Sequence, residues 1–359
     1  MSSSLWLTND RLAVELRPGK GADITSITER GSGIDVLFRA PWRRREPGEA
    51  PITGDSQVDW LARYGGGWQQ LVPNAGAERV VAGVRRGYHG EAAVVGWAVE
   101  AAEDSYARMS TSLITAPLHL TRTVWLEGSA LHISDTILNT SGEPVPVMWV
   151  QHPGFGAPFI DEHCIITTGA RTLVTDAEAP GNVLPPDARE RYPIVPAAEG
   201  GTVDLREVPG PDSGRSVFGC LTDFEVGWFG IDSPTAGFGI RVDWDRDVLP
   251  HAWLWQECHA SEGFPWYRRA YVIAIEPANV LPGDPSPGEP ERGNAPLLPG
   301  HSAWISGMTL SILKAPCRRR RPLMPPAPVP RPTNVRGRLR RGILRDCTFW
   351  IFTASMASA

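Results

Sequence analysis

Short runs rich in Val, Ile, Thr and aromatic residues, separated by Gly, Pro, Asn or Asp, recur along most of this chain and restrict it to a β architecture. The runs are "RLAVELRP", "ITSITER", "IDVLFRAPW", "VVGWAVEAA", "LHLTRTVWL", "ALHISDTILN", "VPVMWVQHP", "CIITTGARTLV", "VGWFGID", "GFGIRVDWD", "AWLWQEC" and "AYVIAIEPA", each too short for a stable isolated helix and bounded by turn residues. Several alternate with a period of two. In "LHLTRTVWL", Leu118, Leu120, Arg122, Val124 and Leu126 fall on one face, as a half-buried strand requires. Helical periodicity is scarce, with one turn expected near residues 186 to 192. A dozen strands at turn-punctuated spacing predict an all-β fold, a large antiparallel β-sandwich. The Pro/Gly-rich stretch 281 to 299 reads as a surface loop before a last strand, "SAWISGMTLSIL".

The apolar fraction of 42% against 21% charged residues supplies a sizeable core and excludes a disordered chain. Charge is unevenly spread. Residues 315 to 359 hold ten arginines against the single acid Asp346, a net of +9, so the rest of a chain of net charge −5 carries −14. Seven prolines fall between Pro316 and Pro332. Two regions are therefore expected: a sandwich domain over 1–314 and an Arg/Pro-rich tail over 315–359, disordered or derived from a frameshift. The tail has no aromatic interleaving or groove-reading motif, so no nucleic-acid partner is expected. Five widely spaced cysteines without a CxxC pair favour neither a disulfide framework nor a zinc site. "MSSSLWLTNDRL" lacks the pattern of a secretory leader and no 18-residue apolar run occurs. The expectation is a cytoplasmic protein with no membrane partner.

Three places combine an ionisable residue with a turn near a strand end: His89 and Glu91 in "RRGYHGEAAVVGWAV", His152 in "HPGFG", and Glu276 in "AYVIAIEPAN". Glu276 follows four apolar residues, and a carboxylate ending such a run is partly desolvated, which moves its pKa toward the range of a general base. The run alone equally allows a glutamate reaching solvent, and His152 alone equally allows a hydrogen-bonded structural histidine. Trp253, Trp255, Trp266 and Tyr267 crowd into "AWLWQECHASEGFPWY" and Trp68 sits in "YGGGWQQLVPN". Aromatic faces beside amides and carboxylates are what a sugar pocket needs, and any single tryptophan is equally at home in a core.

Taken in order, "RPGKGADITSITERGSGIDVLF", "GGGWQQLVPNAG", "HGEAAVVGW", "TILNTSGEPVPVMWVQHPGFG" and "LPHAWLWQECHASEGFPWYRRAYVIAIEPAN" resemble a divergent branch of the aldose 1-epimerase family, the galactose mutarotase-like proteins. The resemblance spans about residues 5 to 314 and lies in the order of the blocks. It implies a galactose mutarotase-like supersandwich, a shallow sugar cleft and no cofactor or metal. It also implies a small-molecule sugar as partner and a catalytic set of His89, His152 and Glu276. Under it, Glu276 removes the anomeric proton, His152 as the imidazolium protonates the ring oxygen, and His89 supports developing charge. Asn74, Trp68, Asp243, Trp255 and Glu257 are the implied substrate-binding residues. The chain departs from the family pattern in two places. Asn74-Ala75 replaces Asn-Arg, leaving Arg79 or Arg85 as candidates for the missing contact, and "HPGFG" replaces the more usual His-x-Tyr-Phe-Asn. A non-catalytic carbohydrate-binding protein and a sugar-phosphate epimerase of the same fold are the alternatives. The last would need arginines at the cleft, such as Arg85-Arg86 or Arg268-Arg269.

Overall fold

Alternation is carried directly into burial. Along Leu118–Glu127 and Ala130–Asn139 every second residue is buried, and the two strands pair antiparallel over their full length. The computed structural model describes residues 4–314 except 47, 48, 50–52, 178–181 and 288. The expected tail, 315–359, lies outside them. Two large antiparallel sheets face each other. One has eight strands, with Leu118–Glu127, Ala130–Asn139 and Ala303–Lys314 at its centre. The other has eleven, in which Trp68–Leu71, Val150–Gly156, Tyr271–Ala278, His251–Cys258 and Arg215–Thr222 are neighbours in that order. The all-β expectation is met. The last strand forms where "SAWISGMTLSIL" places it, between Ala130–Asn139 and Phe238–Trp244.

The inter-sheet core is largely apolar, and a polar network runs through it. Arg122, fully enclosed, donates twice to Asp135 at 2.8 Å and once to Gln151 at 3.1 Å. Gln151 donates to Asp135 at 2.7 Å and accepts from the Trp68 indole at 3.0 Å. Arg122 and Asp135 belong to one sheet, Gln151 and Trp68 to the other, so this network ties the layers together.

Three details differ from the sequence reading. Residues 189–191 form a short strand instead of a helical turn. The stretch 281–299 is more than a surface loop: Arg292 is fully buried, donating to the Thr175 carbonyl at 2.7 Å, and Leu297–Leu298 pairs with Val145–Pro146. A two-turn helix, Ser56–Arg63, forms where none was expected. Asp55 caps it by accepting from the amides of Gln57 and Val58 at 2.9 and 3.1 Å. Gln57, Trp60 and Tyr64, spaced three and four apart, then face the outer side of the eleven-stranded sheet.

Candidate functional site

Strand parity decides which side chains reach that outer face. Val150 pairs with Ala278 and Gly154 with Ala274. His152 and Glu276, each midway between those residues, are therefore level on adjacent strands. His152 is also in register with Gln69, and Glu276 with Trp253. One row of side chains thus runs Gln69, His152, Glu276, Trp253 across four strands. The next row holds Gly154, Ala274, Trp255 and Phe218. Its two smallest members sit beside the His–Glu pair and leave room between it and the tryptophans. The result is a cleft of about 380 Å³, of a size for a small molecule. Trp60, Tyr64, Trp255 and Trp266 wall it, and His89, His152 and Glu276 lie in it together.

His152 Nε2 is 3.6 Å from Glu276 Oε1, and both residues are almost wholly enclosed. Burial raises Glu276 well above the usual carboxylate range. Burial also pushes His152 down to about 4, with the Lys20 charge adding to the effect against its own backbone carbonyl. An ion pair and a neutral pair hold the same single proton, and a dry cleft penalises the two charges of the former. Burial therefore favours the neutral pair, with the proton on Glu276, over the imidazolium expected from the sequence.

His89 lies in a turn with φ +58°, followed by Gly90 at φ +78°. A Cβ on Gly90 would sit 2.5 Å from the Val72 carbonyl oxygen, so only glycine fits this turn. His89 N donates to the Gly76 carbonyl and Gly76 N donates back to His89 Nδ1, both at 3.0 Å. The ring is buried and well below its usual pKa, chiefly through desolvation, then through His152 and Lys20. A neutral imidazole that accepts at Nδ1 carries its hydrogen on Nε2. His89 is thus a fixed donor whose ring centroid is 5.5 Å from that of His152.

The remaining expected residues divide. Trp255 lines the cleft, its ring 5.3 Å from Trp266 and 6.4 Å from His152. Glu257 also lines it, but its oxygens accept from Ala260 N at 2.6 Å and from Ser261 N and Oγ at 2.9 and 2.6 Å. It thereby shapes the loop that carries Trp266. Trp68 is not at the cleft: it is paired with Pro153, one residue out of phase with the His152 row, and faces the inter-sheet core. Asp243 is on the eight-stranded sheet, bound by Arg241 at 2.7 Å. Asn74 is buried in the turn beneath His89, donating to the Ala77 carbonyl at 3.2 Å, and is not a lining residue. Glu91 caps the backbone of Ile114 and Thr115.

No arginine lines the cleft among the described residues. Arg79 binds the Gly283 carbonyl and Asp284, Arg85 binds Glu78, Arg86 binds the Pro146 carbonyl, and Arg268 binds Glu262. The Arg269 guanidinium lies 5.7 Å from the exposed Tyr267 ring. Gln57 and Trp60 of the helix and Tyr64 at its C-cap, together with Tyr88, were missed in the sequence. The spacing of Trp60 and Tyr64 in "SQVDWLARY" was the available signal.

Solved structures of similar fold include the galactose mutarotase related enzyme from Lactobacillus acidophilus, at 16% identity and TM-score 0.60, covering 89% of this chain and 100% of that one. A galactose mutarotase-like protein from Lactobacillus casei matches at 18% identity and TM-score 0.60, over 86% and 100%. The GalM/aldose epimerase homologue from C. elegans matches at 13% and 0.59, over 88% and 100%. At these identities the likeness establishes the fold, a galactose mutarotase-like antiparallel β-sandwich. No curated protein matches the chain. The family model of DUF4432, a domain of unknown function, matches residues 2–312, and the chain belongs to that family.

Proposed function

We propose that this protein is a sugar 1-epimerase of the aldose 1-epimerase type, interconverting the anomers of a free aldose by acid/base ring opening and reclosure. The observation that carries the reading is the His152–Glu276 pair, 3.6 Å apart, inside an aromatic-walled cleft with a fixed histidine donor beside it. Tryptophan faces cover the C–H surfaces of a pyranose, and a one-proton pair performs the two coupled transfers that ring opening needs.

The resting protonation assigns the steps. Glu276 donates its proton to the ring oxygen as the C1–O5 bond breaks, and His152 Nε2 takes the proton of the anomeric hydroxyl. The open-chain aldehyde results, with the pair now charged. After rotation about C1–C2, the ring hydroxyl adds to the other face of the carbonyl, returning its proton to Glu276 while His152 protonates the new anomeric oxygen. His89 Nε2–H donates to oxygen as charge develops. These roles exchange the acid and base that the sequence resemblance implies, because burial favours the proton on the carboxyl. A sugar phosphate is disfavoured, since the nearby arginines have other partners.

The test is anomer interconversion, followed by polarimetry or proton NMR exchange on free hexoses, pentoses and 6-phosphates, with Glu276→Gln as the blank. Acceleration that vanishes in the variant supports the reading. No acceleration on any sugar, with sugar-dependent quenching of tryptophan fluorescence, would replace it with a non-catalytic binder.

A further inference from the structure

One of only two lysines in the chain, Lys20, is 3% exposed. Its Nζ is 2.6 Å from Asp23 Oδ2, and the same carboxylate oxygen receives Gln69 Nε2 at 3.4 Å. Gln69 is the cross-strand neighbour of His152. On its other side, Nζ lies 5.6 Å from the centre of the Trp60 ring, which packs edge-on against His89 at 4.6 Å and His152 at 6.3 Å.

Holding the turn does not account for this ammonium. Gly21 N donates to the Val95 carbonyl at 2.7 Å, Trp97 N to the Pro18 carbonyl at 2.7 Å, and Arg122 to the Ala22 carbonyl at 3.3 Å. These bonds hold residues 18–22 by their own backbone groups, without the Lys20 side chain. A buried ion pair is at best a weak stabiliser compared with apolar side chains of the same volume, so its place beside two histidines calls for another explanation.

We propose that Lys20 is a positioning residue for the His152–Glu276 pair: fixed by Asp23, its ammonium places a positive charge behind both cleft imidazoles. Burial lowers the Lys20 pKa and raises that of Asp23, and the 2.6 Å contact between them opposes both shifts. The charged and titratable groups around it are Asp23 on its own hairpin, Arg44 from the preceding segment, Arg63 from the helix, and His89 and His152. Only Asp23 is anionic, and its oxygen is turned to Lys20 and Gln69. The ammonium opposes a second positive charge on either ring, and so keeps the single proton of the pair on Glu276 until a ligand arrives. This role rests on the acid/base reading above, but the charge itself is measurable without turnover.

The experiment is an NMR titration of the His152 ring in the full chain, assigned with His152→Asn, for wild type, Lys20→Met and Lys20→Arg. Lys20→Met is expected to raise the His152 midpoint by about one pH unit, and Lys20→Arg to leave it near the wild-type value. The acidic limb of the activity profile should move with it. Should Lys20→Met fail to fold, Lys20→Met/Asp23→Asn replaces the ion pair by a neutral one and is expected to shift the midpoint in the same direction. An unmoved midpoint in a folded variant lacking the ammonium overturns the proposal, even where turnover falls. A raised midpoint in a protein that epimerises no sugar upholds the charge and overturns the acid/base reading instead.

Discussion

His152 and Glu276 face each other from neighbouring strands with Nε2 3.6 Å from Oε1, and the cleft that encloses them disfavours charge on both. In the proposed mechanism each carries one of the two coupled proton transfers with the sugar. Glu276→Gln keeps the shape but cannot exchange a proton, and His152→Ala removes the partner. Each is expected to lower turnover by about 10²–10⁴-fold with an unchanged circular dichroism spectrum. Near-normal turnover in either would remove that residue from the chemistry.

The same burial sets a pH dependence of stability. His152 has a folded pKa of about 4 against an ordinary 6.5, so the unfolded chain binds the extra proton first. Its contribution, on the order of 3 kcal/mol, is complete above pH 6.5 and is lost as pH falls toward 4. His251, also pushed to about 4 by burial, acts in the same direction. Glu276 acts in the opposite sense: with its folded pKa raised, its contribution is present below pH 4.5 and is lost as pH rises. Melting temperatures measured from pH 4 to 9 should therefore show Glu276→Gln gaining on the wild type with each step upward. Parallel curves would mean that Glu276 is not desolvated.

How much of this was legible in the sequence depended on whether alternation survived. The strand Leu118–Glu127 alternates, and its inward face, Arg122 included, could be read directly. The strand Trp68–Leu71 is buried on both faces, so nothing in "WQQL" tells a cleft residue from a core residue, and Trp68 was given to the wrong side. Asp243 was misplaced for a different reason: sequence order does not say to which sheet a strand belongs. Glu276 looked like a strand end because Pro277 follows it, yet pairing continues to Ala278 and leaves the carboxylate inside. In Ser56–Arg63 the four-residue spacing of Trp60 and Tyr64 was the one short signal of a helix, and only the folded structure shows that these rings cover the His152–Glu276 pair.

Two tryptophans separate binding from packing. Trp255 lies in the cleft wall against Trp266, so Trp255→Ala is expected to weaken sugar binding about tenfold or more, measured by fluorescence quenching, with little change in melting temperature. Trp68, fully enclosed and bonded to Gln151, is the contrast. Trp68→Ala should cost about 3–5 kcal/mol of stability in a denaturant titration. A collapse of stability in the Trp255 variant would return that residue to the core.

Arg122 tests the polar tie between the layers. Its guanidinium is fully buried and fills its bonds with Asp135, Gln151 and the Ala22 carbonyl. Removing it strands the Asp135 carboxylate in a medium that cannot solvate it, and breaking a buried pair from one side costs about 3–5 kcal/mol. Arg122→Met is expected to destabilise by that amount. Arg122→Met/Asp135→Leu should recover much of the loss, because no unpaired charge then remains. A double variant as unstable as the single would show that stability depends on the hydrogen bonds to Gln151 and Ala22, not on pairing of the two charges. Gln151 immediately precedes His152 on its strand, so the single variant is also expected to loosen the acid/base pair, lowering turnover beyond the effect of stability alone.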